Sequence, residues 1–312
     1  MGMAARVRFL ALAAAAAIAA ICLCERAQAL EGGQSPYLRG FRDFNAGVMP
    51  KPGVLIREDL YIYSGKENTT YGPAKIAAGV HNYANILSVT AITPYQILGG
   101  NYAFALRGAV THSYADRSVT TRFGTTTATG KLTALNDMVV NPLILGWHAG
   151  NFHWDFVTTV WMPVGSYDAA RLVNTGKNTW AWMPQIAGTY ADPQSGWELS
   201  AALGVVYNAE NTATHYRSGN VLHLDSTIGK RITPGITLGV TGYVMQQLTA
   251  DSGAGATLGE RRSNVMGIGP AARFIVRGGE NPAALVVKYT REFAAHNTTQ
   301  GDSATLSFRV KF

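Results

Sequence analysis

The sequence predicts an all-β protein, a transmembrane antiparallel barrel of about twelve strands. Three observations carry that expectation. The last nine residues alternate without a break: Ala304, Leu306, Phe308, Val310 and Phe312 fall on one face, and Thr305, Ser307, Arg309 and Lys311 on the other. Successive strand side chains point to opposite faces, so this strand has one apolar side and one polar, cationic side. Segments of the same kind recur along the chain, with long and short gaps between them in alternation, as long extracellular loops and short periplasmic turns require. A secretory signal precedes them all.

That signal occupies residues 1–29. Arg6 and Arg8 form a basic region, Leu10 to Cys24 an apolar one, and Ala27-Gln28-Ala29 the small–x–small pattern of a cleavage site. The apolar run is about 15 residues, short of the roughly 18 that span a bilayer as a helix, so cleavage near Ala29 is expected. Both cysteines, Cys22 and Cys24, leave with it, and the mature chain has neither disulfide nor thiolate. Ile21 and Leu23 stand before them where lipid attachment needs a small residue, which argues against a lipoprotein. Removing Arg6, Arg8, Arg26 and Glu25 leaves 23 basic and 18 acidic residues. This modest balance suits lipid head groups or an aqueous lumen equally, and export argues against a nucleic-acid partner.

Residues 30–53 contain three prolines and no alternation, yet Tyr37, Leu38, Phe41, Phe44 and Val48 make them too apolar for a solvated tail. They are expected to form a leader folded back into the lumen or against the periplasmic mouth. The barrel itself is assigned to 54–312. Its expected strands are 54–63, 82–92, 97–111, 132–148, 152–162, 179–190, 197–207, 220–231, 236–247, 263–277, 283–292 and 303–312. An even number places both termini on the periplasmic side. In 97–111, Leu98, Tyr102, Phe104, Leu106 and Val110 oppose Asn101, Arg107 and Thr111; in 197–207, Trp197, Leu199, Leu203, Val205 and Tyr207 oppose Glu198 and Ser200. Trp180, Tyr190, Trp197 and Tyr207 stand at strand ends, where interfacial aromatics collect. Strand 54–63 fits less well, because Glu58 shares the face of Ile56, Leu60 and Ile62. Pro142, Pro184 and Pro270 fall inside strands, where a ladder disfavours them.

The chain also resembles the outer-membrane family named for the meta-pathway (MetA-pathway) of phenol degradation. The likeness lies in long runs: Glu31-Gly32-Gly33 leading to Met49-Pro50-Lys51-Pro52-Gly53; Asn141-Pro142-Leu143-Ile144-Leu145-Gly146-Trp147; Met162-Pro163-Val164-Gly165-Ser166-Tyr167-Asp168; and Gln246-Gln247-Leu248-Thr249-Ala250-Asp251-Ser252-Gly253. One departure is Asn136, where Gly is expected before Asp137. The resemblance implies an outer-membrane barrel encoded beside genes for aromatic catabolism and passing hydrophobic small molecules.

For chemistry, the residues offer two His-x-Asp pairs, His153/Asp155 and His223/Asp225, each able to point inward from one strand. Such pairs serve acid–base chemistry or bind metals, but these lie on nonadjacent strands without a nucleophile, and filling of the lumen by hydrogen bonds is the favoured reading. Gly253-Ala254-Gly255-Ala256-Thr257-Leu258-Gly259 lacks the lysine and βαβ setting of a phosphate loop and reads as a flexible loop. No catalytic residue, metal or cofactor is therefore expected. The lumen-lining candidates are Arg107, Trp147, His153, Asp155, Trp161, His223, Asp225, Tyr243 and Gln247, a mixed-sign lining with aromatic surfaces. Phe312 is the candidate assembly signal. Expected partners are outer-membrane lipid and lipopolysaccharide, the outer-membrane assembly machinery and small hydrophobic solutes. The expected function is passive uptake of such solutes, aromatic ones among them; the alternatives are a structural or adhesive barrel and an outer-membrane hydrolase.

Overall fold

A computed structural model describes Glu31 and residues 35–71, 74–257, 262–279 and 281–312. The expected signal, residues 1–29, and the loop residues 258–261 lie outside the described residues. The strands are β1 (Gly53–Tyr71), β2 (Ala74–Ile97), β3 (Gly100–Thr121), β4 (Gly124–Leu135), β5 (Met138–Ala149), β6 (Phe152–Met162), β7 (Ala181–Ala191), β8 (Trp197–Asn208), β9 (Glu210–Asn211), β10 (Tyr216–Arg217), β11 (Val221–Thr233), β12 (Ile236–Gln247), β13 (Asn264–Arg277), β14 (Ala283–His296) and β15 (Gln300–Lys311). The short pair β9–β10 lies within one loop. The others close into a twelve-position antiparallel barrel, β15 pairing with β1 from Leu55↔Lys311 to Lys66↔Gln300.

Twelve positions need thirteen strands because β4 and β5 share one place. β4 pairs with the upper half of β3 (Val110↔Leu135 to Thr121↔Gly124) and β5 with the lower half (Asn101↔Gly146 to Arg107↔Val139). The continuous strand expected over 132–148 is thus broken at Asn136-Asp137. The Asn136 N–H donates to the Ala109 carbonyl at 2.9 Å, while the Asp137 carboxylate accepts the N–H groups of Gly165 (2.9 Å) and Lys177 (2.7 Å). The chain leaves the ladder there to anchor the loop 163–180.

Two expected long loops are also strands. β1 pairs with β2 as far as Tyr71↔Ala74, and β3 with β4 as far as Thr121↔Gly124, so four strands rise past the long-loop rim as a sheet. Residues such as Thr125, Thr126 and Thr127 favour extended backbone but offer no apolar face, which hid these strands from an alternation test. The three prolines sit where one ladder skips. Pairing jumps from Val140↔Val160 to Leu143↔Thr158, from Trp182↔Tyr207 to Gln185↔Gly204, and from Ile268↔Arg291 to Ala271↔Lys288. A residue without an N–H fits such a gap at little cost.

The outer face is apolar: Leu60, Ile62, Leu106, Ile186, Leu199, Leu203, Ile228, Val240, Leu306 and Phe308 are all exposed. Glu58 also points outward, accepting a hydrogen bond from the exposed Asn85 at 2.9 Å. Aromatics gather at two levels. Trp182 stacks on Tyr207 near the long-loop end; Phe152 meets Tyr190, and Trp147 stacks on Trp154, near the short-turn end. Trp182 to Tyr190 is about 26 Å along the strand. At the usual tilt this gives roughly 20 Å of height, inside an apolar band of about 25 Å.

Candidate functional site: the lumen and its leader segment

The interior is occupied by the chain's own leader. Glu31 lies among the long loops, where its carboxylate accepts hydrogen bonds from Asn211 (2.9 and 3.0 Å) and Thr214 (2.6 Å). From there the leader descends, burying Tyr37, Phe41, Phe44, Ala46 and Met49, and it enters β1 at the short-turn end. The C-terminus lies at the short-turn side, as an even strand number requires, while Glu31, the first described residue of the leader, lies at the opposite mouth because the leader adds one pass through the barrel. Glycines in the wall admit it. A Cβ on Gly229 would come within 2.6 Å of the Phe44 ring, and one on Gly146 within 2.4 Å of Met49.

Ionic contacts orient this segment between two walls of opposite sign. On the wall of β1, β14 and β15, Asp43 is held by Arg309 (2.5 Å), Lys288 (2.9 Å) and Arg57 (3.8 Å). Arg57 also pairs with Asp59 at 2.8 Å. On the wall of β6, β7, β8 and β11, Arg42 reaches Asp155 (3.3 Å) and Gln185 (2.9 Å), and its backbone N–H donates to Asp225 at 3.0 Å. The Asn45 N–H donates to Glu198 at 2.6 Å, whose other oxygen meets Arg273 at 2.9 Å. Toward the long-loop end, Arg39 pairs with Glu292 at 2.7 Å, and Glu292 also accepts the hydroxyls of Tyr63 (2.9 Å) and Tyr243 (2.8 Å). Burying this many charges is tolerable only because each finds partners.

The candidates read from the sequence separate into several groups. His223 meets Ser35 at 3.0 Å and lies 4.4 Å ring to ring from Tyr37, whose hydroxyl donates to Asp225 at 2.5 Å. Asp155 and Asp225, on nonadjacent strands, are joined through Arg42. His153 contacts His148, nitrogen to nitrogen, at 2.7 Å near the short-turn rim. Trp161 is buried in the cluster containing Tyr37 and Phe41. Arg107 lies over the Phe41 ring, 4.0 Å from its centroid, and donates to Ser88 at 3.1 Å. Tyr243 faces Glu292 and Gly40. Gln247 is buried but committed to the loop 248–263, accepting from Ser263 and donating to Asp251 at 2.7 Å.

Trp147 is a correction. It sits directly opposite the exposed Trp154 in register, while its neighbour Gly146 faces Met49 inside, so the indole points outward. The Asn141-Pro142 irregularity above it shifts the pairing register and defeats simple alternation. Residues not singled out beforehand carry much of the site: Arg39, Arg42, Asp43, Lys288 and Glu292. Three charges at 39, 42 and 43 set among Tyr37, Leu38, Phe41 and Phe44 were the available signal, since charges within an apolar stretch need buried partners. Among the described residues, no three His, Cys, Asp or Glu side chains gather as a metal site requires.

A family model described as "Putative MetA-pathway of phenol degradation" matches residues 64–308. The chain belongs to that family. No curated protein matches the sequence. Among solved structures, the COG4313 outer membrane channel from Pseudomonas putida F1 is similar with a TM-score of 0.63 at 14% identity, the match covering 86% of this chain and 98% of that one. The β domain of the Bordetella autotransporter Brka gives a TM-score of 0.47 at 15% identity, covering 84% of this chain and all of that one. The former likeness places this family member among outer-membrane β-barrel folds.

Proposed function

We propose that this family member is an outer-membrane channel for passive uptake of small hydrophobic molecules, aromatic compounds among them, with the leader as its resident plug. The carrying observation is how the leader is held. Its described residues pass through the lumen on ion pairs and hydrogen bonds such as Asp43–Arg309 and Arg42–Asp155 before joining the wall at Gly53. Its withdrawal would bare a lining of mixed charge and aromatic rings, including Arg107, Trp161 and Tyr243, suited to a solute with an apolar body and a polar group. The fold shared with an outer membrane channel supports this reading and an outer-membrane location. A permanently filled, structural barrel is the rival, favoured by the close packing around Phe44. The hydrolase reading loses ground because Asp155 and Asp225 are engaged by Arg42 and Tyr37.

The test is growth of a deletion strain on limiting aromatic or fatty carbon sources, paired with solute flux into lipopolysaccharide-containing proteoliposomes. A solute-specific growth defect with matching flux is expected. Normal growth on every such solute, together with impermeable vesicles, would leave the structural barrel as the better account.

A further inference from the structure

Resting on the channel reading, we infer that the lumen contains a binding site for an arene bearing a carboxylate, and that Phe41 and Asp43 of the leader occupy it as an internal stand-in. The two residues present an aromatic ring and a carboxylate on the same stretch of chain, and the wall receives them as a ligand would be received. Both the Arg57 and Arg107 guanidinium groups lie over the Phe41 ring, 4.1 and 4.0 Å from its centroid. Guanidinium on an aromatic face is a recognised attraction, stronger when desolvated. Beside the ring, the Asp43 carboxylate is gripped by Arg309, Lys288 and, more distantly, Arg57.

Charge at this spot points to an anion. The wall supplies four cations, Arg57, Arg107, Lys288 and Arg309, and among the described residues only Arg57 forms an ion pair with a wall carboxylate, Asp59. Arg107 donates only to Ser88 and, among the described residues, has no carboxylate within ion-pair distance. The Nε of Arg309 is buried without an acceptor. With the leader withdrawn, the wall would hold an uncompensated positive field beside an aromatic-sized space. A free arene carboxylate restores both contacts at once: its ring takes the place of Phe41, and its carboxylate takes that of Asp43. Such a solute would open its own path by competing with the plug.

The probe is 3-phenylpropanoate, with 3-phenylpropan-1-ol and hexanoate as controls lacking the charge or the ring. Binding to the full mature chain in detergent is measured by calorimetry, and leader release by tryptic cleavage after Arg39 and Arg42. The expected result is binding of 3-phenylpropanoate about tenfold tighter than either control, with faster leader cleavage. Phe41→Ala and Asp43→Asn each vacate half the site and should tighten binding several-fold, whereas Arg107→Met should weaken it by about tenfold. If Asp43→Asn does not fold, Phe41→Ala decides, its folding checked by heat-modifiable gel migration. Equal affinity for the alcohol and the carboxylate, or no gain in Phe41→Ala, would overturn the assignment. A growth defect on aromatics without the carboxylate preference would sink this site alone. The preference without any growth or flux phenotype would sustain the site and sink the channel.

Discussion

Arg42 joins two separate strands of one wall: its guanidinium meets Asp155 on β6 at 3.3 Å, and its backbone N–H meets Asp225 on β11 at 3.0 Å. Neither strand is adjacent to the other in the sheet, so one leader residue converts two separate carboxylates into a single polar site.

Arg42→Ala should therefore loosen the leader without opening the barrel. Asp155 and Gln185 lose their cation while remaining buried, a cost of about 2 kcal/mol. The leader should become sensitive to trypsin at Arg39, while heat-modifiable migration persists. Unchanged protease resistance would show that the apolar contacts alone seat the segment.

Gly229→Leu tests the socket. Phe44 lies where this side chain would go, and Thr237 closes the space from the far side, with its Cγ2 only 3.0 Å from a Cβ at 229. Overpacking of this kind costs about 1–3 kcal/mol. The expected outcome is a folded barrel whose leader exchanges amide hydrogens rapidly over residues 41–47. Retained protection there would mean the wall yields more readily than the packing implies.

Asp137→Ala should release the loop 163–180. Two N–H donors, on Gly165 and Lys177, lose their carboxylate, a local loss of about 2 kcal/mol. Proteolysis at Arg171 should accelerate while the strand ladders remain protected. Equal cleavage rates in both proteins would place the loop's anchor elsewhere, in contacts such as Thr175 to the Leu135 carbonyl.

Phe312→Ser should lower the yield of folded barrel more than a comparable loop change such as Thr212→Ser. Phe312 exchanges both backbone hydrogen bonds with Val54, at 2.9 and 3.0 Å, and leaves its ring on the outer face. The proposed recognition by assembly machinery depends on that ring. Equal membrane yields would reduce it to an interfacial anchor.

Alternation made the barrel legible because one face of each strand meets an apolar environment and the other does not. The terminal strand shows it plainly: Leu306 and Phe308 are outside, while Ser307 and Lys311 are buried. Where that asymmetry ends, the signal ends too. The extensions of β1, β3 and β4 above the rim carry polar residues on both faces and read as loops. Trp147 departs from its expected inward face because the irregularity at Asn141-Pro142 shifts register, which a uniform period of two cannot anticipate. The leader's apolar residues marked it as something other than a tail, but its path depends on contacts such as Arg309–Asp43, separated by 266 positions. Spacing along the chain carries no information about such pairs.

Arg57 and Arg309 are directly opposed in the β1–β15 ladder, so the barrel's final seam brings two like charges face to face. Facing cations across a strand pair are unfavourable. Asp59 and Asp43 neutralise them, and Asp43 arrives only with the leader. The ring of strands and its contents are thus fastened by one clasp. An intruder that dislodges Asp43 without supplying a negative charge of its own weakens the closure, whereas one that brings a carboxylate leaves it sealed. Selectivity for what enters and integrity of the wall become the same electrostatic question.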